Sequence, residues 1–284
     1  MVSVIIPARN ETFLQATIDN IVKNAIGNYE IVVGLDGYMP CPDLKPLPNL
    51  KIYHSPEGIG MRPMINTMVD MAEGEFIMKV DAHCAFSQGF DSVLSDCCKS
   101  DWVVVPRQYS LDVDMWYKNV QKPCVDYWYL SPPCGFRDSD QRPLGLHAIR
   151  WFERTSQNPI DDLMIFQGSC YFMRRDYFHT LSLMDVKKFG KFAYEGSEIS
   201  LKTWLTGGRV VVNKNAWFAH LSKGKKYGRG YFLGKSSVTE SAKAHYDWVI
   251  NNSIEGAVHN LKWLINKFSP IPLWEDFDWG NYHG

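Results

Sequence analysis

The sequence lacks a strong net charge, a regular cysteine pattern and a long apolar run, the features that most directly indicate a protein class. Its net charge is only −1 over 284 residues, so the molecule as a whole has no strong electrostatic attraction to nucleic acid or membranes. The seven cysteines are odd in number and irregularly spaced, which argues against a disulfide framework, and the absence of a C-x-x-C pair argues against a structural zinc site. No apolar run is long enough to span a bilayer. We therefore expect a cytoplasmic protein with reduced thiols and no membrane span.

What the chain does contain is an alternation of strand and helix patterns. Over the first 110 residues, short β-branched apolar runs alternate with segments whose apolar residues recur at helical spacing. This alternation predicts an α/β fold with a mostly parallel sheet flanked by helices. The predicted strands are residues 2–8, 30–35, 51–54, 75–80, 102–105, 166–173 and 208–212, and the predicted helices are residues 11–23, 61–72, 90–98, 175–183, 198–205, 237–250 and 254–268.

Residues 112–165 interrupt this pattern with prolines, aromatic residues and little periodicity. A stretch of that length inside a compact domain is usually a functional loop region or has irregular structure of its own. No internal repeat and no low-complexity linker divides the chain. We expect one catalytic domain at residues 1–236 and a C-terminal helical extension at residues 237–284 packed on it.

The most informative segment is the predicted strand at residues 75–80 with the polar pair that follows it. Asp81 and His83 are two residues apart. Side chains at that spacing on a strand point the same way, roughly 6.5–7 Å apart along the backbone. Ligands of open α/β sheets bind beyond the carboxyl ends of the strands. The pair therefore predicts a divalent metal that holds an anionic substrate, with a nucleotide diphosphate as the best candidate.

Two other predicted strands also end in polar residues. The first runs into Arg9, Asn10 and Glu11, and the second runs into Asp36. Taken alone, Asn10 is typical of a helix cap, and Asp36 with the glycine after it is typical of a turn. Because parallel strands deliver their carboxyl ends to one edge of the sheet, these residues together with the D-x-H pair predict one shared site.

In their order, these motifs resemble those of nucleotide-sugar glycosyltransferases with the GT-A (Rossmann-like) fold. The opening residues 2–11 resemble the start of family 2 glycosyltransferases. The match is closer to the polypeptide N-acetylgalactosaminyltransferases. Their motifs D-S-H-C-E, W-G-G-E-N-L-E-I-S and G-H-V correspond here to residues 81–85, 192–200 and 219–221. The resemblance covers about residues 2–235.

The resemblance implies roles for individual residues. Asp81, His83 and His220 would bind Mn²⁺, or Mg²⁺, together with the diphosphate oxygens. The residues implied to bind the donor are Pro7, Ala8, Arg9, Glu11, Asp36, Arg62 and Gly168, and those implied for the catalytic centre are Glu195 and Glu198. We also assign Tyr227 and Arg229 to donor binding, because they lie in a glycine-rich basic segment, residues 221–231, that we interpret as a lid.

Several of these residues have other interpretations. A lone histidine after an apolar run, as at His220, is also typical of a packed core. Glu198 lies at a predicted helix start, where an acidic side chain favours the helix dipole. Residues 221–231 could form a solvated basic loop, or their interleaved cations and tyrosines could contact a nucleic-acid backbone.

Two departures from the family pattern bear on mechanism. The aspartate that acts as base in inverting family 2 enzymes corresponds here to Gly196, which has no proton acceptor. This favours a retaining reaction. Tyr194 stands where the galactosaminyltransferases have glycine, so N-acetylgalactosamine is not assumed to be the donor sugar.

From these features we predict a metal-dependent hexosyl- or N-acetylhexosaminyltransferase that uses a UDP-sugar and retains configuration. The acceptor stays open between a glycan, a protein and a modified base in DNA. Nucleotidyl transfer is an alternative, but it would need more acidic metal ligands than Asp81. A catalytically silent nucleotide-sugar-binding module is another alternative, and the intact Asp81, His83, Glu195 and His220 argue against it.

Overall fold

The structure, a computed structural model, describes residues 1–133, 144–228, 230–231 and 235–283. Within these ranges the chain forms twelve strands, nine α-helices and one short 3₁₀ turn. The strands are β1 (Val2–Ala8), β2 (Tyr29–Asp36), β3 (Leu50–Ser55), β4 (Phe76–Val80), β5 (Cys84–Phe86), β6 (Trp102–Asp112), β7 (Tyr117–Lys118), β8 (Trp128–Leu130), β9 (Ala148–Arg150), β10 (Ile160–Asp162), β11 (Cys170–Arg174) and β12 (Arg209–His220). The helices are α1 (Leu14–Asn24), α2 (Met61–Met71), α3 (Phe90–Cys97), α4 (Arg175–Thr180), α5 (Val186–Phe189), α6 (Glu195–Leu205), α7 (Gly224–Tyr227), α8 (Lys235–Ile250) and α9 (Leu261–Phe268).

A ten-stranded sheet is the centre of the fold. Its order is β10-β12-β6-β11-β4-β1-β2-β3, with β5 beside β12 and β7 beside β6. The strands β3, β2, β1 and β4 pair in parallel, and so do β6 and β12. The prediction of an α/β fold with a mostly parallel sheet and a C-terminal helical extension is therefore confirmed, although several pairs are antiparallel.

The strand β11 is the antiparallel element that matters most for the site. It lies between β4 and β6 and runs against both. Since it begins where β4 ends, the turn that precedes it lies beside the carboxyl end of β4, and the Asp81 N–H donates to the Ser169 carbonyl oxygen at 2.9 Å. The predicted strand 166–173 thus begins later than expected, because residues 166–167 are irregular and residues 168–169 form this turn.

The strand β12 is longer than the predicted residues 208–212. The polar residues Asn213 and Asn215 suggest a turn from sequence, but the strand passes through them with a register shift between Asn213 and Trp217. Beyond the shift, β12 pairs with β5 and sets His220 opposite Cys84. The pairing brings His220 next to the D-x-H pair from a distant part of the chain.

The sheet interior is apolar, as expected for strands covered on both faces. Most residues of β1, β2 and β4 are buried, and α2 packs on β1 and β2 through Met64, Ile65 and Met68. Two charged side chains, Arg62 and Lys79, are among the largest that are fully buried. Burial of a charge requires a partner, so both point to organised polar groups inside the fold.

The C-terminal residues pack against the rest of the chain. The Ser241 hydroxyl on α8 donates to the Phe189 carbonyl oxygen at 2.6 Å, and the indole of Trp274 donates to the Leu130 carbonyl oxygen at 2.6 Å. The predicted helix 254–268 is shorter than expected, since α9 begins only at Leu261. The domain boundary at residue 236 stays a prediction. Among the described residues, no helix combines the length and apolar character of a membrane span.

Candidate active site

A cavity of about 1290 Å³ opens at the carboxyl ends of β1, β2 and β4. The expected site residues that line it are Pro7, Ala8, Arg9, Glu11, Asp36, Asp81, His83, Gly168, Glu195 and His220. The fold thus gathers side chains from distant parts of the sequence at one edge of the sheet, where α/β proteins bind their ligands.

Asp81, His83 and His220 form a cluster with the geometry of a metal site. One ligand atom from each lies within 4.8 Å of the others. The Asp81 Oδ2 atom is 3.1 Å from Nε2 of His220 and 3.9 Å from Nε2 of His83. One carboxylate oxygen and two imidazole nitrogens therefore face a common point, a donor set that suits Mn²⁺ and related divalent ions.

The surroundings of His83 also fit a metal ligand. Its Nδ1 atom lies 3.0 Å from the Glu11 Oε2 atom. A carboxylate bound to one ring nitrogen orients the imidazole and directs the other nitrogen to the metal. Burial raises the pKa of Glu11, but its bonds to His83 and Lys223 outweigh this and leave the pKa below its usual range. Glu11 is therefore an ionised acceptor in this arrangement.

The protonation states in the cluster suit the same purpose. Burial lowers the pKa of His220, and the nearby Asp81 offsets this only in part, so the neutral imidazole that metals bind is favoured. Burial raises the pKa of Asp81, but Lys79 and His220 together lower it below the usual range. The carboxylate is thus ready to coordinate a cation.

Lys79 is a functional candidate that the sequence reasoning missed. It lies on β4, its side chain is 1% exposed, and its Nζ atom is 2.7 Å from both the Asp81 Oδ1 atom and the Gly168 carbonyl oxygen. The same ammonium lies 3.6 Å from Oε1 of Glu195. A single lysine in an otherwise apolar predicted strand was the available signal.

Glu195 lies on the cavity wall at the start of α6. Burial raises the pKa of its carboxyl group, and Lys79 offsets this only in part. The next residue, Gly196, is enclosed: a Cβ there would collide with the Phe166 carbonyl oxygen. Position 196 therefore has no side chain, and the surrounding backbone leaves no space for one.

Asp36 and Arg9, which the resemblance assigns to the donor, line the part of the cavity beyond β1 and β2. The Asp36 carboxylate accepts hydrogen bonds from the backbone N–H groups of Ile59 and Gly60 at 2.6 and 3.1 Å. Its other oxygen is 3.6 Å from an Arg9 guanidinium nitrogen. The carboxylate thereby fixes the loop at the cavity rim, while the guanidinium remains 42% exposed.

Arg62 and Glu198 do not line the cavity. Both side chains are 0% exposed and form an ion pair with each other. Arg62 also donates to the Ala193 carbonyl oxygen at 2.6 Å, and Glu198 accepts from Lys202 at 2.8 Å. The sequence placed Arg62 on the nucleotide and Glu198 at the catalytic centre. In the structure their charged groups are occupied with each other, away from the cavity.

The described residues of the segment 221–231 include several that line the cavity, and they contact the first loop. Lys223 Nζ contacts the Glu11 carboxylate at 2.6 Å, and Asn10 donates to the Gly230 carbonyl oxygen at 2.7 Å. Tyr227 lines a second cavity of about 330 Å³ and packs edge-on against Phe13. Arg229 lies outside the described residues. That this segment moves as a lid stays a prediction.

The buried pair of Arg62 and Glu198 yields a test of its role. Replacing Glu198 by glutamine leaves a buried guanidinium without its charge partner, a change that costs about 3–5 kcal/mol. We expect urea denaturation to show this loss, with unchanged UDP affinity in the folded protein. Glu75→Gln, which removes one of the two carboxylate partners of the surface residue Arg174, should cost at most about 1 kcal/mol. Normal stability with lost UDP binding would instead place Glu198 at the donor.

Comparison with known proteins agrees with this geometry. A family model described as glycosyl transferase family 2 matches residues 3–182. No curated protein sequence matches the chain. A crystal structure of GalNAc-T7 with UDP, GalNAc and Mn²⁺ superposes with a TM-score of 0.65 at 18% identity, covering 89% of this chain and 49% of that one.

A second similar structure is residues 1–349 of TarS from S. aureus in complex with UDP-GlcNAc. It superposes with a TM-score of 0.58 at 15% identity, covering 93% of this chain and 69% of that one. At such identities the structural likeness establishes the GT-A fold alone, and this chain spans about half the length of the GalNAc-T7 chain. The family model covers well over half of the sequence, and the chain belongs to glycosyl transferase family 2.

Proposed function

We propose that this chain transfers a sugar from a UDP-sugar to an acceptor in a reaction that depends on a divalent metal, Mn²⁺ or Mg²⁺. The observation that carries the proposal is the convergence of Asp81, His83 and His220 at one edge of a large cavity. A metal bound there would neutralise charge on the departing diphosphate. The structures of GalNAc-T7 with UDP and Mn²⁺ and of TarS with UDP-GlcNAc support a UDP-sugar as donor.

The nucleotide fits the part of the cavity lined by the first two strands. Pro7 and Ala8 supply backbone and apolar surface, and Arg9 supplies an accessible cation. Asp36 lines the same part of the cavity and accepts a hydrogen bond from the Ile59 N–H, which holds the adjoining loop. These contacts suit a planar base followed by a ribose, with the diphosphate directed toward the metal-binding residues.

The donor sugar fits between the turn at Gly168 and the start of α6. A Cβ at Gly168 would lie 2.8 Å from the Glu195 Oε2 atom, so glycine keeps this carboxylate accessible. Glu195 is then able to accept hydrogen bonds from sugar hydroxyls, while Lys79 holds it in place at 3.6 Å. A hexose and an N-acetylhexosamine both suit this arrangement.

Position 196 favours retention of configuration. The backbone around Gly196 leaves no room for a carboxylate that would deprotonate an acceptor from the opposite face. In the retaining reaction the acceptor hydroxyl attacks C1 on the face that the diphosphate leaves. The C1–O bond to phosphate breaks, a new C1–O bond forms, and the hydroxyl proton passes to a diphosphate oxygen. The protein's own residues orient these groups.

The two alternatives from other classes have less support. Nucleotidyl transfer relies on several carboxylates around two metal ions, whereas the metal cluster found among the described residues has Asp81 as its one carboxylate. A catalytically silent binding module would not require Glu195 and the buried Lys79, which adjoin the metal-binding cluster. The cytoplasmic location remains an expectation from the cysteine pattern.

The first test is thermal unfolding with UDP in the presence and absence of Mn²⁺. A ligand that binds only the native state stabilises it by about 2.7 kcal/mol at a hundredfold excess over its Kd. We expect UDP to raise the melting temperature only with Mn²⁺ present, and Asp81→Asn to abolish the shift. The matched control is Asp70→Asn, at an exposed position on α2.

Two outcomes would contradict the proposal. A UDP shift of equal size without metal would remove the role of Asp81. A shift with nucleoside triphosphates and none with any uridine diphosphate would favour nucleotidyl transfer. A panel of UDP-sugars in the same assay distinguishes hexose from N-acetylhexosamine donors.

The stereochemistry of the product tests retention. With an α-linked UDP-sugar, proton NMR of the product should show the small anomeric coupling of an α-glycoside. Gly196→Asp should give no inverted product, because the added side chain meets the Phe166 carbonyl and disrupts the start of α6. Ser197→Ala, which removes only a 3.5 Å hydrogen bond to Leu146, is the control and should retain activity. A β-linked product from the unmodified protein would show that another carboxylate acts as base.

A nucleic-acid acceptor is the second candidate, and the smaller cavity favours it. Lys122, Lys223 and Lys226 line this cavity with one acidic residue, Asp114, and with the partly exposed ring of Tyr227. It shares His220 and Leu221–Gly224 with the large cavity, so an occupant would lie close to the donor. Cations beside an aromatic ring are the usual surface for single-stranded nucleic acid.

Gel-shift titration with a single-stranded oligonucleotide tests this candidate. We expect Lys122→Glu and Lys226→Glu each to weaken binding by about tenfold at low salt and to reduce its salt dependence. Lys23→Glu, at an exposed position on α1, is the control. Equal effects from all three substitutions would indicate nonspecific attraction, and absence of binding would leave a glycan or protein as the acceptor.

A further inference from the structure

Lys79 places a buried positive charge beside Asp81, Gly168 and Glu195, three residues that line the large cavity. Its side chain is 1% exposed, and the oxygens within reach of its ammonium belong to Asp81, Gly168 and Glu195. For the carboxylates of Asp81 and Glu195, the Lys79 ammonium is the nearest cation in the ion pairs of the described residues. The charge of Lys79 is therefore fixed in place by the fold.

The Asp81 carboxylate divides its two oxygens between two directions. Oδ1 faces the ammonium of Lys79 at 2.7 Å, and Oδ2 faces His220 and His83 at 3.1 and 3.9 Å. The oxygen on the histidine side is the one available to a metal. Lys79 and a metal would therefore lie on opposite sides of one carboxylate, close enough to repel each other.

We propose that Lys79 is a resident cation that offsets part of the negative charge of Asp81 and Glu195 without metal and limits how tightly the site binds its divalent ion. The proposal rests on the proposed function for the presence of a metal. It goes further in assigning to a lysine on β4 the control of metal affinity. A site with moderate metal affinity would bind its metal together with the anionic donor. The negative charge of the diphosphate would compensate the repulsion between the Lys79 ammonium and the metal ion.

The expected sign follows from Coulomb's law. Removing the ammonium leaves two partly buried carboxylates with no cation beside them, which destabilises the metal-free protein. The same change removes the repulsion between Lys79 and a divalent ion, so metal binds more tightly. A residue that only filled space would produce the first effect and not the second.

The experiment is a titration of the nucleotide-free protein with Mn²⁺ in which electron paramagnetic resonance measures the concentration of the free ion. Lys79→Met should bind Mn²⁺ at least about tenfold more tightly than the unmodified protein. Its melting temperature should fall in EDTA and recover with Mn²⁺. Lys79→Arg keeps the charge and should bind Mn²⁺ with close to the original affinity.

Glu195 provides the reciprocal variants. Glu195→Gln leaves Lys79 with one carboxylate fewer, so Mn²⁺ should bind about tenfold more weakly. This variant keeps the buried ammonium of Lys79, so it tests the proposal even if Lys79→Met does not fold. The double variant Lys79→Met with Glu195→Gln removes one charge of each sign and should return the affinity toward that of the unmodified protein.

The outcomes separate this inference from the proposed function. If the unmodified protein binds Mn²⁺ and the affinity is unchanged or weaker in Lys79→Met, the inference is overturned while the metal site stands. If Lys79→Arg behaves like Lys79→Met, side-chain shape controls the site and the inference also fails. If the unmodified protein binds no Mn²⁺ with or without UDP, the proposed function itself fails.

Discussion

The carboxylate of Asp81 is the point on which the candidate site depends. Asp81 directly follows β4, its backbone N–H donates to the turn before β11, and its side chain lies between a buried ammonium and two imidazoles. Lys79 and His83 are close to it in sequence, whereas Ser169 and His220 come from distant parts of the chain. Because each of them is held by the sheet, the metal-binding cluster exists only once the whole sheet has formed. Fold and site are thus specified by the same strand pairings.

The two buried cations among the described residues, Arg62 and Lys79, have different surroundings. Arg62 is paired with Glu198 and supports the backbone at Ala193, just before the cavity wall formed by α6. Lys79 lies behind the cavity wall and contacts two carboxylates that line it, those of Asp81 and Glu195. A buried ion pair contributes little net stability compared with apolar packing, but it fixes the geometry of the groups around it. Arg62 thus positions the backbone next to the site, and Lys79 places a positive charge beside the carboxylates of the site.

Much of the fold could be predicted from sequence, because its central strands are long apolar runs with polar residues at their ends. The D-x-H pair and Asp36 showed which sheet edge would carry the site. The antiparallel position of β11 and the continuation of β12 to His220 could not be predicted, since strand order and register depend on pairing between distant segments. The same limit hid the Arg62–Glu198 pair: a motif gives the residue type but not the partner that neutralises it.

The enclosed position of Gly196 has a consequence for how this branch of the family could evolve. An inverting relative has an aspartate at the corresponding place, and a single codon change from glycine supplies one. Here that change meets the Phe166 carbonyl, so the intermediate genotype encodes a protein with a disrupted helix start. A carboxylate at position 196 would fit only after the turn before β11 had shifted. The packing of this turn thus limits which residues can occupy position 196.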